Sequence, residues 1–448
     1  MAGIAGIVAP GRRSLVETML AKIEHRGGAG REIFETDGAT FGIVWTKPQE
    51  RSIEKLRRDG AVADQAGNGR LAKARFTDDG LVLRRDHLGV APLYYGETEE
   101  EGLCFASEVK ALLDVCAGIG QVPAGHEMRD GGMRPYYTLE KKEPLTDDSA
   151  AIAAELKRRL VESVDKRIAL GGTVGCWLSG GLDSSAMAAL ARPRMKTLRT
   201  FAAGLEGAPD LKYARMAADF IDSEHHEVVP SLRDLLAALP KVIYHLESFD
   251  ALLVRSSITN YLVAERSSEH VDAVFSGEGG DELFAGYDYL KAIDRSGLAD
   301  ELIDITGRLA DTALQRVDRS ASAHGTVAYV AFLDPDVVDY ALRIPVEYKL
   351  RGGVEKWILR RALDGELPAE VLNRKKAKFW QGAGIEELLS DYAEGLITDD
   401  DFRRERRLPN DWEINTKEEL FYYRIFREHF GELDDVSWMG RTKGAPKN

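Results

Sequence analysis

The stretch Ser179-Gly180-Gly181-Leu182-Asp183-Ser184-Ser185 has the makings of an anion site. A short apolar run, 173–178, precedes it, and a helical pattern, 184–190, follows. Where a strand, a glycine-rich turn and a helix N-terminus follow in that order, backbone N–H groups face inward and the helix end adds partial positive charge, which suits phosphate. Trp177 and Leu178 end the strand, and Ser179, Ser184 and Ser185 add hydroxyl donors. Asp183 is a poor neighbour for phosphate unless a divalent cation lies between them, so it implies magnesium. The lysine of Gly-x-x-x-x-Gly-Lys-Ser/Thr is missing, which excludes a Walker A loop. The bland alternative is a plain strand-to-helix turn.

Further along, Ser276-Gly277-Glu278-Gly279-Gly280-Asp281-Glu282-Leu283-Phe284-Ala285-Gly286-Tyr287 follows a second predicted strand, 273–275. Both loops then sit at the carboxyl ends of sheet strands, where open α/β sheets bind ligands. Glu278 and Asp281 repel each other unless a metal or a cationic group lies between them. A helix N-terminus rich in acids accounts for Asp281 and Glu282 but leaves Glu278 unexplained. A third cluster, Asn373-Arg374-Lys375-Lys376-Ala377-Lys378, is densely basic. Such a run is often a solvated face, but Phe379-Trp380, Gly382 and Gly384 directly after it favour burial near a ligand.

The elements that must position these loops follow from the apolar pattern. Ile152, Leu156, Leu160, Val164 and Ile168 recur every fourth residue and predict a long helix that Asp147 or Asp148 caps. Strands are predicted at 173–178, 198–203, 225–229 and 273–275. Helices are predicted at 211–221, at 232–246 with a break at Pro240, and at 258–264. That alternation predicts a doubly wound parallel sheet, and from Leu290 onward the pattern is mostly helical. Residues 1–115 read instead as a β-rich unit, with short apolar runs at 3–8, 40–45, 80–83, 93–95 and 103–106 and a helical stretch at 15–23. The turn-rich stretch 116–148 reads as a linker, 149–440 as the second domain and 441–448 as a disordered tail.

Bulk composition narrows the function. The 448 residues are 44% hydrophobic and 30% charged, the mix of an ordinary soluble globular protein. A formal charge of −14, from 60 basic and 74 acidic side chains, argues against nucleic acid or an anionic membrane as partner. Cys104, Cys116 and Cys176 have no metal-ligand spacing, and a reducing cytoplasm fits them best. No apolar run reaches the roughly 18 residues of a membrane span, and the apolar start 1–8 lacks a basic leader and reads as a strand.

Taken in this order, the three clusters resemble the asparagine synthetase family, whose synthetase domain is a PP-loop ATP pyrophosphatase of the adenine nucleotide α hydrolase-like fold. The resemblance implies cleavage of ATP to AMP and pyrophosphate, attack of a carboxylate on the α-phosphorus, and capture of the acyl-adenylate by an amine. Ser179, Gly180, Gly181, Asp183 and Ser184 match the pyrophosphate loop, and Asp183 with Asp281 match the magnesium-associated acids. Ala203, Ser276 and Gly277 match positions lining the adenosine site. Glu278 matches the glutamate that handles the attacking nitrogen. Lys376 matches the lysine that stabilises charge on the α-phosphate. Asp334 matches an acid of the carboxylate-substrate site, and Arg255 lies in a similar segment. The family often reads Gly-Val-Glu-x-Arg-x-Pro-Phe-Leu-Asp where this chain has Gly325-Thr326-Val327-Ala328-Tyr329-Val330-Ala331-Phe332-Leu333-Asp334. Val327 and Tyr329 replace a charged pair, so aspartate is the default acid and Tyr329 a candidate substrate contact.

The N-terminal unit resembles the family's Ntn-hydrolase-like glutaminase domain through Gly3-Ile4-Ala5-Gly6-Ile7, His25-Arg26-Gly27-Gly28, 85–95 and 105–112. Yet the expected nucleophilic cysteine is Ala2. The Arg-Leu-Ser segment that grips glutamine reads Val44-Trp45-Thr46, and Val62-Ala63-Asp64-Gln65 stands roughly in place of the oxyanion segment. Asp86 holds the position that meets the glutamine amino group. The reading is therefore an AMP-forming ligase that joins a small carboxylic or amino acid to ammonia or another amine, without a working glutaminase. A homodimer is allowed for. The rivals are an intramolecular amide-forming synthetase of the β-lactam or lasso-cyclase kind, a non-catalytic ATP-binding scaffold, and a PP-loop enzyme of tRNA modification.

Overall fold

The computed structural model describes residues 1–67, 69–77, 80–98, 102–129, 131–375, 383, 386–408 and 412–442. Six strands form an antiparallel sheet in the order Gly30–Glu35, Thr40–Trp45, Ala2–Ile7, Gly102–Ala106, Tyr94–Thr98, Ala117–Gln121. Five more form a second antiparallel sheet, Gly132–Pro135, His126–Arg129, Gly80–Arg85, Leu71–Thr77, Ala61–Gln65. Alternation along each strand sorts the side chains between two cores. Ala2 and Ile4 join Phe41, Ile43, Val62, Ala74 and Leu83 in a core shared by the two sheets. Ala5 and Ile7 face the other way, onto the helices Arg13–Lys22, Leu232–Leu246, Ala251–Ser268 and Lys417–Phe430. One apolar core thus ties the N-terminal unit to the rest of the chain.

Three of those strands lie in 116–148, the stretch expected to be a linker, so connection without strand is confined to 136–148. Their glycines allow tight turns, and their pairing partners are distant in sequence: Met128 faces Leu83 and Tyr94 faces Gln121. The helix Ser149–Ile168 follows, with Asp148 accepting the N–H groups of Ala150 and Ala151, and with Ile152, Leu156, Leu160 and Val164 buried.

Five parallel strands form the third sheet, ordered Glu224–Val228, Arg199–Ala203, Val174–Trp177, Ala273–Phe275, Val327–Tyr329. After Val174–Trp177 the chain steps to one side of the sheet, and after Ala273–Phe275 to the other. The crevice between those two neighbours is the topological switch point. The helices on the sheet run Leu182–Ala191, Pro209–Phe220, Leu232–Leu246 and Ala251–Ser268. The break expected at Pro240 does not occur: the helix runs through it from a capping box at Ser231 and Asp234. The fold is mixed α/β, two antiparallel sheets followed by a parallel one, with a largely helical C-terminal part. No helix among the described residues is long and apolar enough to cross a membrane.

The first two residues of the stretch expected to be a disordered tail, 441 and 442, are instead tied to the fold. Arg441 donates to Glu419 at 2.6 Å, and its guanidinium lies 4.7 Å from the Trp412 ring centroid. The backbone N–H and hydroxyl of Thr442 donate to the Asp250 carboxylate at 3.1 and 2.9 Å. Residues 443–448 lie outside the described residues.

Candidate active site

A cavity of about 720 Å³ opens at the switch point. Its floor is the turn 178–184. Ser184 Oγ accepts the Ser179 N–H at 3.1 Å, and the two hydroxyl oxygens stand 3.0 Å apart, so the turn is braced before any ligand arrives. Gly180 has a positive φ of 69°, and a side chain there would strike the Ala214 nitrogen at 2.4 Å. Its glycine is required by packing on the helix Pro209–Phe220. Of the expected nucleotide contacts, Trp177, Leu178, Ser179, Gly181, Asp183, Ser184, Ala203, Ser276 and Gly277 line the cavity. Gly180 and Ser185 do not; Ser185 is fully buried behind the turn.

The two acid-bearing loops meet around a cation that neither contains. The Lys356 ammonium contacts a carboxylate oxygen of Asp183 and lies 2.6 Å from Asp281 Oδ1. The ammonium thus lies between Asp183 and Asp281, whereas the pair expected to share a cation was Glu278 and Asp281; Glu278 is paired with Arg316 instead. Lys356 is buried and sits in the left-handed region at φ 54°, a conformation costly for a non-glycine residue and characteristic of functional sites. Glycines make the approach feasible. A Cβ on Gly280 would lie 2.4 Å from Asp183 Oδ1, and one on Gly286 would lie 2.0 Å from Asp281 Oδ1 and 2.2 Å from Lys356 Cε.

On the far side of Asp281 the lining turns to Glu278, Glu282, Tyr287, Tyr289, Thr312 and Arg316. Glu278 Oε1 accepts from Arg316 Nη2 at 2.5 Å. Glu282 accepts the Tyr287 hydroxyl at 2.5 Å. Burial first, and then the Asp281 charge, push the Glu282 carboxyl up to about 7. From the basic cluster, Arg374 donates to the Ser179 carbonyl at 3.3 Å, pairs with Asp210 and stacks 4.3 Å over Tyr213, and Lys375 lines the cavity. Lys376 lies outside the described residues.

Three expected substrate contacts are elsewhere. Arg255 is held by Glu418, with its Nε 3.0 Å from Oε1, and does not line the cavity. Asp334 is fully buried as the cap of the helix Pro335–Arg343, paired with Arg167 at 2.9 Å and Lys166 at 3.2 Å. Tyr329 belongs to a strand the sequence pattern missed and packs beside Phe275, 2% exposed. Conversely, Lys356, Arg316 and Arg374 were not singled out. Arg374 lay in a noted basic run, but nothing local distinguishes the other two.

At the N-terminus, Ala2 is fully buried and its N–H donates to Asp64 Oδ1 at 2.9 Å. The Met1 amine donates to Thr46 Oγ1 at 2.7 Å, and burial draws its pKa down to about 4. Asp86 is occupied by the backbone N–H groups of Leu71, Leu88, Val90 and Ala91, at 2.8 to 3.2 Å. Asp86 thus organises the loop 86–91.

The asparagine synthase family profile matches residues 155–311 and 299–445, and a glutamine amidotransferase domain profile matches 68–137. Glutamine-hydrolysing asparagine synthetase 2 of Arabidopsis thaliana is 34% identical over 380 residues, covering 79% of this chain and 65% of its own length. Glutamine-hydrolysing asparagine synthetase B of Escherichia coli is 35% identical over 382 residues, covering 79% of this chain and 68% of its own. A probable asparagine synthetase of Schizosaccharomyces pombe is 35% identical over 399 residues, covering 79% and 70%. The chain thus spans about two thirds of the length of these relatives.

Proposed function

The chain belongs to the asparagine synthase family, and on that premise we propose that it is an ATP-dependent, AMP-forming carbon–nitrogen ligase. The carrying observation is the convergence of the 178–184 turn, the Asp183–Lys356–Asp281 cluster and Glu278 on one cavity. ATP is a substrate here. Its adenosine fits between Trp177, Ala203, Ser276 and Gly277, and its phosphates fit the turn and the N-terminus of the helix Leu182–Ala191. A carboxylate placed beside the α-phosphorus displaces pyrophosphate, and the cations Lys356 and Lys375, with Lys376 by family resemblance, oppose the charge that develops.

The donor set fits magnesium, because Asp183 and Asp281 converge on one cation position now taken by the Lys356 ammonium. Those two carboxylates would hold the ion, which when bound neutralises phosphate charge. Glu278, which accepts a hydrogen bond from Arg316, then acts as general base on the incoming nitrogen.

The acid is aspartate or an aspartate-like acid, and the nitrogen comes from ammonia or another amine. Support for leaving glutamine aside is the residue-2 environment. A thiol nucleophile has no counterpart there, Asp64 is engaged by Arg26 and Arg70, and Asp86 is spent on backbone N–H groups. Pyrophosphate release from ATP, screened over small carboxylic and amino acids with ammonium present, tests the reading. Release with one acid, with the amide as co-product, is expected; release with none overturns it.

A further inference from the structure

The helix Ala313–Ser322 carries charges with two destinations. Arg316 reaches into the cavity and holds Glu278 at 2.5 Å. Two and three residues on, Asp318 and Arg319 enter a buried ion cluster built largely from the N-terminal unit. Asp318 meets Arg26 at 2.9 Å and Arg70 at 2.6 Å, and Arg319 meets Glu108 at 2.7 Å and Glu247 at 2.9 Å. Ser322, one turn further, accepts from Arg26 at 3.3 Å. Arg26 also spans to Asp64 and Glu108, and Arg26, Asp64 and Glu108 are all fully buried. None of these cluster residues lines the cavity.

Burying charges costs about as much as pairing them returns, so such a cluster adds little net stability. What it supplies is geometry, because each bidentate contact fixes its partners in one arrangement. The fixed partner here is the helix that presents Arg316. We propose that the N-terminal unit sets the placement of the helix Ala313–Ser322 and, through Arg316, holds Glu278 where the nitrogen attacks. Arg26, Arg70, Asp318 and Arg319 are then positioning residues for the amide-forming step, while the 178–184 turn, which binds ATP, stands outside their reach. The inference rests on the ligase reading for its kinetic consequence, but its structural half is independent of it.

The test uses the full chain with three substitutions: Asp318→Asn, which keeps shape, Arg316→Gln, which breaks the link at the cavity, and Arg316→Lys as its conservative partner. Two steps are compared, exchange of labelled pyrophosphate into ATP and formation of amide. Asp318→Asn should lower amide formation on the order of 10²-fold, the scale of a small misplacement, with exchange nearly unchanged, and Arg316→Gln should lower amide formation at least as far. Arg316→Lys should recover part of the loss. Equal loss in both steps, or a folded Asp318→Asn enzyme with normal amide formation, overturns the proposal. If Asp318→Asn does not fold, the hydrogen exchange of Arg316→Gln decides.

Amide hydrogen exchange supplies a readout free of activity. In Asp318→Asn, peptides covering 313–322 and 276–283 should both exchange faster. Unchanged exchange at 276–283 overturns the coupling even if the wild-type chain proves inactive on every acid, a result that would separately overturn the ligase reading. In an Asp318→Asn chain too unstable to measure, the same peptides of Arg316→Gln are read: 276–283 should exchange faster while 313–322 does not.

Discussion

Replacing Lys356 by methionine removes one buried cation from between two carboxylates and leaves the volume nearly filled. The Lys356 side chain is 3% exposed and those of Asp183 and Asp281 are 11% and 14% exposed, so water screens the three poorly. Two unit charges about 4 Å apart interact by about 4 kcal/mol at an effective dielectric near 20, and here the sign turns from attraction to repulsion. Breaking a buried pair by removing one partner typically costs about 3–5 kcal/mol. Lys356→Met should therefore lower stability by roughly that amount in chelator. Magnesium should restore more of the lost melting temperature in the variant than it adds to the wild type, since the ion can take the vacated position between the aspartates. Pyrophosphate exchange should fall on the order of 10²-fold or more, because the ammonium faces the phosphate end of the cavity. Differential scanning calorimetry with chelator or magnesium, alongside the exchange assay, reads both effects. A melting temperature equal to the wild type's in chelator, together with normal exchange, would refute the assignment of Lys356 as the charge that holds the two loops together.

Further outcomes separate the remaining roles. Glu278→Gln should keep pyrophosphate exchange and lose amide formation, whereas Lys376→Ala should lose exchange; identical behaviour of the two would refute the division of labour. Ala2→Cys should release no glutamate from glutamine, because residue 2 is fully buried, Asp64 beside it is engaged in ion pairs and Asp86 is spent on backbone N–H groups; any glutaminase activity would reverse that reading. Lys349 is 3% exposed, and burial lowers its pKa to about 7. The unfolded chain keeps the ordinary lysine value and binds more protons between there and pH 7, so the penalty is full below pH 7 and fades as pH rises toward 10.5. Lys349→Met should then stabilise by as much as about 5 kcal/mol near pH 6, less at pH 9, as denaturant melts at the two pH values will tell.

What could be read from sequence was what the chain encodes locally. The strands at Val174–Trp177 and Ala273–Phe275 announce themselves as apolar runs ending in glycine turns, and the anion geometry of 178–184 is complete within one continuous stretch. Ala117–Gln121 and Val327–Tyr329 were missed for opposite reasons. The first is an edge strand, glycine-rich with one large apolar residue; the second is three buried residues that look like any apolar turn of a helix. Both become strands only through partners far away in sequence, Tyr94–Thr98 and Ala273–Phe275.

The charged residues make the same point about the site. Arg255 and Arg316 are alike in type, and so are Asp334 and Asp281, yet one of each pair meets the cavity and the other is spent on structure. The sequence around them does not decide this. Glu418 decides it for Arg255 and Arg167 for Asp334, each more than 160 positions away. Lys356, with no motif about it, enters the site because a left-handed turn and two glycines let its ammonium stand between acids 75 and 173 positions upstream. A local motif can therefore say that a charge must be balanced, as the acids at 183 and 281 did. Which side chain balances it is settled by packing, and the remaining charge on the cavity wall is what a substrate meets.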